Sequence, residues 1–414
     1  MGQLLKHPGK SSSAARCLIA LCAAVATAAH AADWELDVDA RLLTSDGGKS
    51  FLEAGLGTVR YGEDQSGLRL GRARAAISQP LGEVWTLRID ASTWGDKDKS
   101  PVGVTEAYLQ YRPYPFSGYR LRVKAGAFYA PISLENRASG WESPYTLSSS
   151  AINTWLAEEL RTIGLEAQLD WLGTRTGHAF DLGLTGAVYG WNEPAGVVLA
   201  TDGFTLHDRQ TPLFGRVGRG GYEPLEPFRQ IDGRAGYYGG LEARYLDRVV
   251  FRALHYDNRA DPTAYDAVSR VIAWRTQFDS AGLRFESGNG WTAVVQWLNG
   301  DTYIAPGGFQ LEWPFNARFA LLSKRVGRHM LSARYDKFVV ERGKGNPEED
   351  GAQTGHAWTA AYLFQLNPQW RFTLEWLRVV SNSYNRGEIL GTTGAATETQ
   401  LQLAVRCALG SSVQ

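Results

Sequence analysis

Three basic side chains alternate along residues 119–129, namely Arg120, Arg122 and Lys124. In an extended strand, residues two apart project from the same face, so the three cations share one face. No acidic residue lies between them in this segment. Positive charges on a wall beside confined water raise the local concentration of anions. The chemistry predicted here is therefore electrostatic attraction of anions, without any bond being made or broken.

Other basic residues recur at alternating positions in similar segments, and we predict that they face the same compartment. This predicted set contains Arg74, Arg88, Arg318, Arg334 and Arg371. With residues 120–124 and the other alternating basic positions, the predicted face has fifteen basic residues against nine acidic residues. The excess favours passage of anions, whereas pairing across strands would only keep an unselective wall wet. The sequence leaves both interpretations open.

Catalytic and metal-binding patterns are absent from the sequence. The histidines His207, His255, His329 and His356 lie in different segments without the spacing of a metal site, and no G-x-S-x-G motif occurs. Beyond residue 31 the sequence has a single cysteine, Cys407, so neither a disulfide within the chain nor a metal-cysteine cluster is expected. We predict no enzyme activity, no metal and no cofactor.

The first 31 residues have the layout of a cleaved secretory signal. Three basic residues precede an apolar run that begins at Cys17, and the small-x-small sequence of residues 29–31 follows it. A lipoprotein reading at Cys22 is disfavoured because Leu21 stands where a small residue is expected. Removing residues 1–31 removes three of 43 basic residues and none of 43 acidic residues, which leaves a net charge of −3. This balance gives no reason to expect a nucleic-acid partner.

The elements that position these residues are predicted to be strands, because apolar and polar residues alternate in many segments of about ten residues. Leu68 and Leu70 are out of phase with Ala73, which predicts a β-bulge near Gly71. Along residues 314–324 we expect the apolar residues to face lipid and Arg318 to face the lumen. The predicted strands are 34–43, 66–78, 83–92, 103–112, 119–129, 161–171, 178–190, 236–246, 249–257, 277–286, 291–299, 314–324, 329–341, 356–366, 369–379 and 397–409.

The connections between these strands alternate between short turns and long loops, as in transmembrane barrels with periplasmic turns and extracellular loops. A closed barrel also satisfies every backbone polar group in lipid. We therefore predict an all-β, antiparallel transmembrane barrel of about sixteen strands, formed by residues 32–414, in the outer membrane of a Gram-negative bacterium. A soluble secreted β protein is the alternative fold.

Two of the long loops are notable. In the loop 130–160, a helix is predicted from about Ser150 to Leu160, and folding inward would bring Asn153, Glu158, Glu159 and Arg161 to a constriction. Packing on the rim as a surface flap is the alternative. The loop 191–235 is long and rich in Gly and Arg, which fits a lid, a contact with lipopolysaccharide phosphates, or a disordered segment.

The stretch from residue 123 to residue 170 resembles the phosphate-selective porin family of the outer membrane, of the porin O and porin P type. The matching residues are Val123, Gly126, Phe128, Pro131, Ser133, Leu134, Glu135 and Gly164. The resemblance implies a sixteen-stranded, trimeric pore whose third loop folds inward. The sequence departs from the family in its acidic loop, in the segment 141–159, and in the residues that follow Leu409.

The function expected from these observations is that of an outer-membrane porin for small hydrophilic solutes, with a preference for anions such as phosphate. The expected partners are outer-membrane lipid, lipopolysaccharide, small solutes or anions, and two further copies in a homotrimer. The alternative is a non-conducting barrel that acts through its loops as an adhesin, a receptor or an export partner.

Overall fold

The chain folds into a closed antiparallel β-barrel of sixteen strands in the residues described by the computed structural model, which are 32–96, 101–115, 117–343 and 351–411. The proposed signal segment 1–31 and the last three residues, 412–414, lie outside the described residues. Each barrel strand pairs with the strand before it in the barrel, and the last pairs with the first. The closed pairing leaves no free sheet edge in the wall, as a membrane-spanning sheet requires.

Twenty strands occur in the described residues, of which sixteen form the wall and four form two small hairpins, β8–β9 and β12–β13. Their bounds are β1 Asp33–Ser45, β2 Gly67–Leu81, β3 Trp85–Thr93, β4 Val102–Tyr111, β5 Tyr119–Phe128, β6 Thr162–Trp171, β7 Phe180–Gly190, β8 Val217–Arg219, β9 Tyr222–Leu225, β10 Gly236–Tyr245, β11 Val249–Asp257, β12 Tyr265–Asp266, β13 Val271–Ile272, β14 Arg275–Glu286, β15 Trp291–Ile304, β16 Leu311–Val326, β17 His329–Val340, β18 Gln353–Gln365, β19 Trp370–Ser383 and β20 Ala395–Gly410.

Each of the sixteen wall strands was predicted from the sequence, and the predicted barrel is confirmed. The bulge is also confirmed: Asp39 pairs with Arg72 and Ala40 pairs with Leu70, so Gly71 is the extra residue. A side chain at Gly71 would meet Arg41, because an added Cβ would lie 2.4 Å from the Arg41 Nε. Glycine at this bulge therefore leaves room for a charged side chain of the neighbouring strand.

Seven short turns join the strands at one end of the barrel, which we call the turn end. The longer connections lie at the other end, the loop end, and hold three short helices: Ala151–Glu159, Val197–Thr201 and Tyr384–Leu390. Short 3₁₀ turns lie at Phe51–Glu53, Glu63–Gln65, Gly173–Thr176 and Pro306–Gly308. None of the described helices has the length and apolar character needed to cross a bilayer.

The outer surface carries two levels of aromatic residues on the same strands. Trp291 and Trp370 lie near the turn end, and Trp297 and Trp376 lie six residues further along β15 and β19. All four side chains are between 37% and 41% exposed. Aromatic girdles that flank a band of smaller apolar residues are the surface that a lipid bilayer requires.

The predicted orientation of β16 is wrong, although its alternation and bounds agree well with the prediction. Arg318 pairs in register with Trp297, whose side chain points outward, and Arg318 itself is exposed. Phe315 and Phe319 are instead buried on the inner side. Because side chains alternate, assigning the apolar residues to lipid placed the whole strand on the wrong face. Arg318 is therefore not a pore-lining residue.

Candidate pore and its internal loops

The segment 129–161, which we call the first inner loop, lies inside the barrel. Arg72 on β2 donates to the Gly140 carbonyl oxygen at 3.1 Å. On the far side, Arg252 on β11 donates to the Ser133 carbonyl oxygen at 2.8 Å. Because β2 and β11 are well separated in the barrel order, the loop crosses the lumen and is held at several walls.

The helix Ala151–Glu159 of this loop forms as predicted and is buried along its length. The Ser150 hydroxyl caps it by accepting from the Asn153 N–H, which satisfies one of the free donors of the first turn. Trp155 packs against Phe278 and Phe315, with ring centroids 5.4 Å and 5.1 Å away. This contact explains why β16 turns aromatic residues inward: the apolar face of the loop helix provides their environment.

Polar contacts with β17 and β19 hold the chain just before the helix. The Glu375 carboxylate accepts from the Leu147 and Ser148 N–H groups at 2.6 Å and 3.0 Å. Arg334 donates to the Ser148 and Ser149 carbonyl oxygens at 2.7 Å and 2.9 Å. The wall thus supplies an anion for the backbone donors and a cation for the backbone acceptors of the same loop segment.

A second segment, residues 191–211, enters the barrel and packs on the first inner loop; we call it the second inner loop. The Glu159 carboxylate accepts from the N–H groups of Gly196, Val198 and Leu199 at 3.2, 2.8 and 3.2 Å. It also accepts from Trp155 Nε1 at 2.6 Å. Burial raises the pKa of Glu159 to about 7 despite these donors. One carboxylate therefore links the two inner loops.

Further charged groups fix the second inner loop against the wall. Asp208 accepts from Arg41 on β1 at 2.5 Å and from Arg60 at 2.9 Å. Burial opposes ionisation, yet the two guanidinium groups hold the pKa of Asp208 well below its usual range. One residue earlier, the His207 Nε2 lies 2.7 Å from a Glu158 carboxylate oxygen. The two inner loops and the first strand are thus joined by one chain of polar contacts.

The residues predicted to form a constriction contact protein rather than open water. Asn153, Glu158, Glu159 and Arg161 are at most 2% exposed. The Arg161 guanidinium lies 3.6 Å from the centroid of the Tyr129 ring. The interpretation of these four residues as the rim of an aperture is corrected: they fasten the inner loops together.

A different part of the wall carries accessible cations, which we call the basic arc. Each of three carboxylates there is shared by two arginines. The groups are Asp170 with Arg120 and Arg122, Glu242 with Arg244 and Arg252, and Glu286 with Arg284 and with Arg137 of the first inner loop. The Asp170 contacts are 2.8 Å and 3.1 Å long. Since one negative charge faces two positive charges in each group, every group has a net charge of +1.

The cluster predicted on β5 lies in this arc, but acidic residues of β6 accompany it. Arg120 and Arg122 share Asp170, and Lys124 pairs with Glu166 at 3.3 Å. The three basic side chains stay partly accessible, at 17%, 27% and 24%. Partial pairing lowers the positive charge of this strand without cancelling it.

The wall formed by β1, β2, β3 and β20 has a balanced charge. Its network contains four arginines, Arg72, Arg74, Arg88 and Arg406, and four carboxylates, Glu35, Asp37, Asp90 and Glu142. Arg74 is 1% exposed and Arg334 is 0% exposed, so neither meets free lumen water, contrary to the prediction. Arg88 keeps 15% exposure, and Arg371 pairs in register with Arg406 on the inner side.

Two polar cavities lie between the wall and the first inner loop. One of about 360 Å³ is lined by Arg88, Glu106, Tyr108 and Trp141 among others. The other, of about 160 Å³, is lined by four cations and two carboxylates of the basic arc region. These are Arg122, Lys124, Arg244, Arg252, Glu166 and Glu242. The smaller cavity therefore has an excess of positive charge.

The comparisons with known proteins agree with this architecture. OmpF of Salmonella typhi, in a complex with daunomycin, superposes with a TM-score of 0.55 at 9% identity, covering 91% of this chain and 97% of that chain. The outer membrane channel DcaP of Acinetobacter baumannii superposes with a TM-score of 0.54 at 10% identity, covering 91% of this chain and 96% of that chain. OmpT of Vibrio cholerae superposes with a TM-score of 0.50 at 10% identity, covering 91% of this chain and 97% of that chain.

The chain has the fold of Gram-negative outer-membrane barrels. At such low identity the likeness shows the fold alone. No family model matches the sequence, and no curated protein matches it. The resemblance to phosphate-selective porins therefore stays a prediction.

Sequence reasoning did not find the residues that hold the inner loops, among them His207 and Asp208 as contact residues. Their partners lie 49 and 167 residues away in the chain. Alternation identifies the faces of a strand but not the partners of a loop side chain. The one available signal is the short apolar run Val197, Val198 and Leu199, which is unusual in an exposed connection.

Proposed function

We propose that this protein is an outer-membrane porin that passes small hydrophilic solutes and prefers anions. The observation that carries the proposal is the basic arc, in which each of three carboxylates is shared by two arginines. A narrow, low-dielectric passage beside a net positive wall concentrates anions and excludes cations. The proposal involves no catalytic step.

The position of the charged residues on the lumen wall supports a preference for anions more than their total charge does. Across the lumen, four arginines face four carboxylates and contribute no net charge. Among these ion-paired groups, the positive excess lies in the basic arc, where the side chains also remain accessible. The 160 Å³ cavity lies within that side and would suit a small oxyanion, of which phosphate is one example.

The test is the zero-current potential of the purified protein in planar bilayers under a KCl gradient. Replacing Arg120, Arg122 and Lys124 together by glutamine should move this potential toward cation preference. A matched control replaces Arg175, Arg248 and Arg328, which are exposed on three of the short turns. Charges there are screened by bulk salt over about 10 Å, so a much smaller shift is expected. Equal shifts in the two variants, or none, would contradict the proposal.

The packing of the lumen favours a second candidate, a barrel that conducts little until its loops move. Both inner loops lie inside the wall, and the helix Ala151–Glu159 is entirely buried. Such a protein would act through its loops as a receptor, an adhesin or an export partner. Deleting residues 195–211 would separate the two candidates. A porin that is already open should change its current only modestly, whereas a closed barrel should begin to conduct.

A further inference from the structure

The larger of the two polar cavities, of about 360 Å³, lies between the first inner loop and the wall formed by β2, β3 and β4. We call it the turn-end cavity, because its lining begins with Thr86 and Gln110, which pair in register close to the turn end. Along β4 the lining continues with Tyr108 and Glu106, each two residues further from that end. Residues 137–141 of the loop form the opposite side. Glu106 is therefore the innermost β4 residue of this recess.

The Glu106 carboxylate lines the cavity without a cationic partner in the part of the chain that the structure describes. The hydrogen bond that it accepts there comes from the Tyr129 N–H to Oε1, at 3.1 Å, which leaves Oε2 for a ligand or water. Its register partner on β3 is Asp90, a second carboxylate. Like charges in directly opposite positions destabilise a sheet. Glu106 therefore lies where its charge is costly for the fold alone.

The arginines of this wall are bound to other carboxylates. Asp90 accepts from the Arg74 Nε at 2.9 Å and pairs with Arg88 at 3.3 Å. Arg88 also pairs with Glu35 at 3.1 Å. The network of four arginines and four carboxylates on this wall is balanced without Glu106. Glu106 therefore adds an unmatched negative charge to the lining of the cavity.

Two other cations approach the rings beside Glu106 but pair elsewhere. The Lys124 ammonium lies 5.4 Å from the centroid of the Tyr108 ring and 3.3 Å from a Glu166 carboxylate oxygen. The Arg161 guanidinium lies against the Tyr129 ring and donates to a backbone carbonyl oxygen of the second inner loop at 3.0 Å. Neither forms an ion pair with Glu106, so the carboxylate remains available to a solute.

A β-bulge on β4 sets the position of Glu106. Glu106 pairs with Asp90 whereas Val104 pairs with Ala91, so Thr105 is the extra residue. The Thr105 hydroxyl donates to the Asp90 carbonyl oxygen at 3.3 Å, which fastens the bulge to the neighbouring strand. Bulges are common next to functional sites, where they change the direction of a side chain. The bulge is thus a second feature that distinguishes this part of the wall.

Aromatic rings and neutral polar groups complete the lining. Trp141 stacks on Tyr129, with ring centroids 4.2 Å apart and 15° between the planes. The φ angle of Trp141 is +55°, a left-handed conformation that a bulky residue rarely adopts. Around the cavity, the side-chain polar groups of Thr86, Tyr108 and Gln110 make no hydrogen bond with any other residue that the structure describes. A hydroxyl or amide group that faces a cavity without a protein partner is available to a solute.

These groups suit a solute that carries one amine and several hydroxyls. An ammonium group would donate to the Glu106 carboxylate in a charge-assisted hydrogen bond and is also attracted by nearby aromatic rings. Hydroxyls would exchange hydrogen bonds with Thr86, Tyr108 and Gln110, each of which can both donate and accept. The C–H face of a sugar ring would find an apolar surface at Trp141.

We propose that the turn-end cavity binds a small amino sugar, with its ammonium group at Glu106 and its ring beside Trp141. This assignment goes beyond the proposed preference for inorganic anions, because it gives the lumen a site for an organic cation on the wall opposite the basic arc. It requires that solutes enter the lumen from the turn end, but not that the barrel conducts ions.

The test measures binding of glucosamine to the purified protein in non-ionic detergent by isothermal titration calorimetry at low salt. Glucose and N-acetylglucosamine are the matched probes, because each keeps the sugar ring and lacks the positive charge. Glucosamine should bind at least about tenfold more tightly than either probe, since charge-assisted hydrogen bonds are about twice as strong as neutral ones. Glu106→Gln should reduce the affinity for glucosamine to that for glucose. The glutamine oxygen can still accept from the Tyr129 N–H, so the fold should be retained.

Two further variants test the ring and the general attraction of cations. Trp141→Leu should weaken glucosamine binding several-fold, because the aromatic surface is lost. Glu83→Gln removes a carboxylate from the exposed turn between β2 and β3, at the same end of the barrel, and should bind glucosamine normally. Heat-dependent gel mobility verifies that every variant is folded.

Several results would overturn this assignment. Equal affinity for glucosamine and glucose would show that the carboxylate plays no part. Equal weakening by Glu83→Gln and Glu106→Gln would indicate general attraction of cations to the turn end, and unchanged binding in Glu106→Gln and Trp141→Leu would place the sugar elsewhere. Because calorimetry needs no ion flow, a barrel that binds glucosamine without conducting would contradict the proposed pore alone. A conducting barrel that does not bind glucosamine would contradict this site alone.

Discussion

Arg334 of β17 donates to Glu135 of the first inner loop across the lumen, with 2.6 Å between Nη1 and Oε1. Both side chains are 0% exposed. Glu135 also accepts from the Ser150 N–H and from the Asn153 side chain, at 3.0 Å and 2.8 Å. This one carboxylate therefore joins the wall to the N-terminus of the loop helix, and breaking it should release the loop.

The first prediction is that Glu135→Gln loosens the first inner loop. Both carboxylate oxygens accept hydrogen bonds, so an amide nitrogen must face a donor wherever it points. A buried donor or acceptor that is left without its hydrogen-bond partner lowers the stability by about 1–3 kcal/mol. Hydrogen exchange of the amides in residues 147–156 should become faster. Glu63→Gln, at an exposed loop position, is the control and should leave exchange unchanged. Unchanged exchange in both variants would show that this contact does not hold the loop.

The second prediction concerns Gly196, where the second inner loop touches the wall. Its φ is +102°, and an added Cβ would lie 2.1 Å from the Thr302 Oγ1 and 2.6 Å from the Thr276 Oγ1. Gly196→Ala should therefore displace the loop, at a cost of about 1–3 kcal/mol from overpacking alone. Thermal unfolding in detergent measures the effect.

Gly239 provides the matched control for this substitution. It points outward on β10, its φ is not in the left-handed region, and nothing lies within 4 Å of its added Cβ. Gly239→Ala should change the unfolding temperature little. If the two variants melt alike, close packing at Gly196 is not a determinant of loop position.

The third prediction is that the contact between the inner loops weakens as the pH rises toward neutrality. Burial raises the pKa of Glu159, which joins the two inner loops, to about 7. In the unfolded loop this group would ionise near pH 4, so the folded state holds more protons between those limits. The contribution of protonated Glu159 to the stability of the contact between the inner loops is therefore complete below about pH 4. It falls as the pH rises to 7 and changes little at higher pH.

Hydrogen exchange at Val198 and Leu199, corrected for the intrinsic effect of pH, measures this dependence. Both amides donate to Glu159, so their protection reports the contact directly. Protection should be higher at pH 5 than at pH 8. Protection that stays constant, or rises with pH, would contradict the assignment of the raised pKa to Glu159.

The strands could be predicted because lipid and water impose a local rule on neighbouring residues. Even the bulge at Gly71 left a phase shift in the sequence. The rule failed at β16, where both faces of the wall meet apolar groups, lipid outside and Trp155 inside. Alternation then fixes which residues share a face but not the direction in which that face points.

The candidate site was less predictable, because its contacts join residues far apart in the chain. Arg334 was expected to face water, but it is covered by a loop residue 199 positions away. Arg318 was expected in the lumen and lies outside for the reason given for β16. The cluster on β5 lies on the inner face and stays partly accessible, as the alternation predicted. Arg74, Arg88 and Arg371 also face inward, but alternation could not show which of them other side chains would cover.

The fourth prediction is that Glu242→Gln increases the preference for anions, opposite in sign to the triple variant of β5. Glu242 is bound by Arg244 and Arg252, so removing its charge leaves both guanidinium groups unbalanced. The net charge of that group changes from +1 to +2 inside the passage. The zero-current potential should move further toward anion preference, and the shift should shrink in high salt as screening strengthens. The same substitution at Glu388, in the exposed helix Tyr384–Leu390, should have little effect. A shift toward cations at position 242 would mean that the basic arc does not border the conducting path.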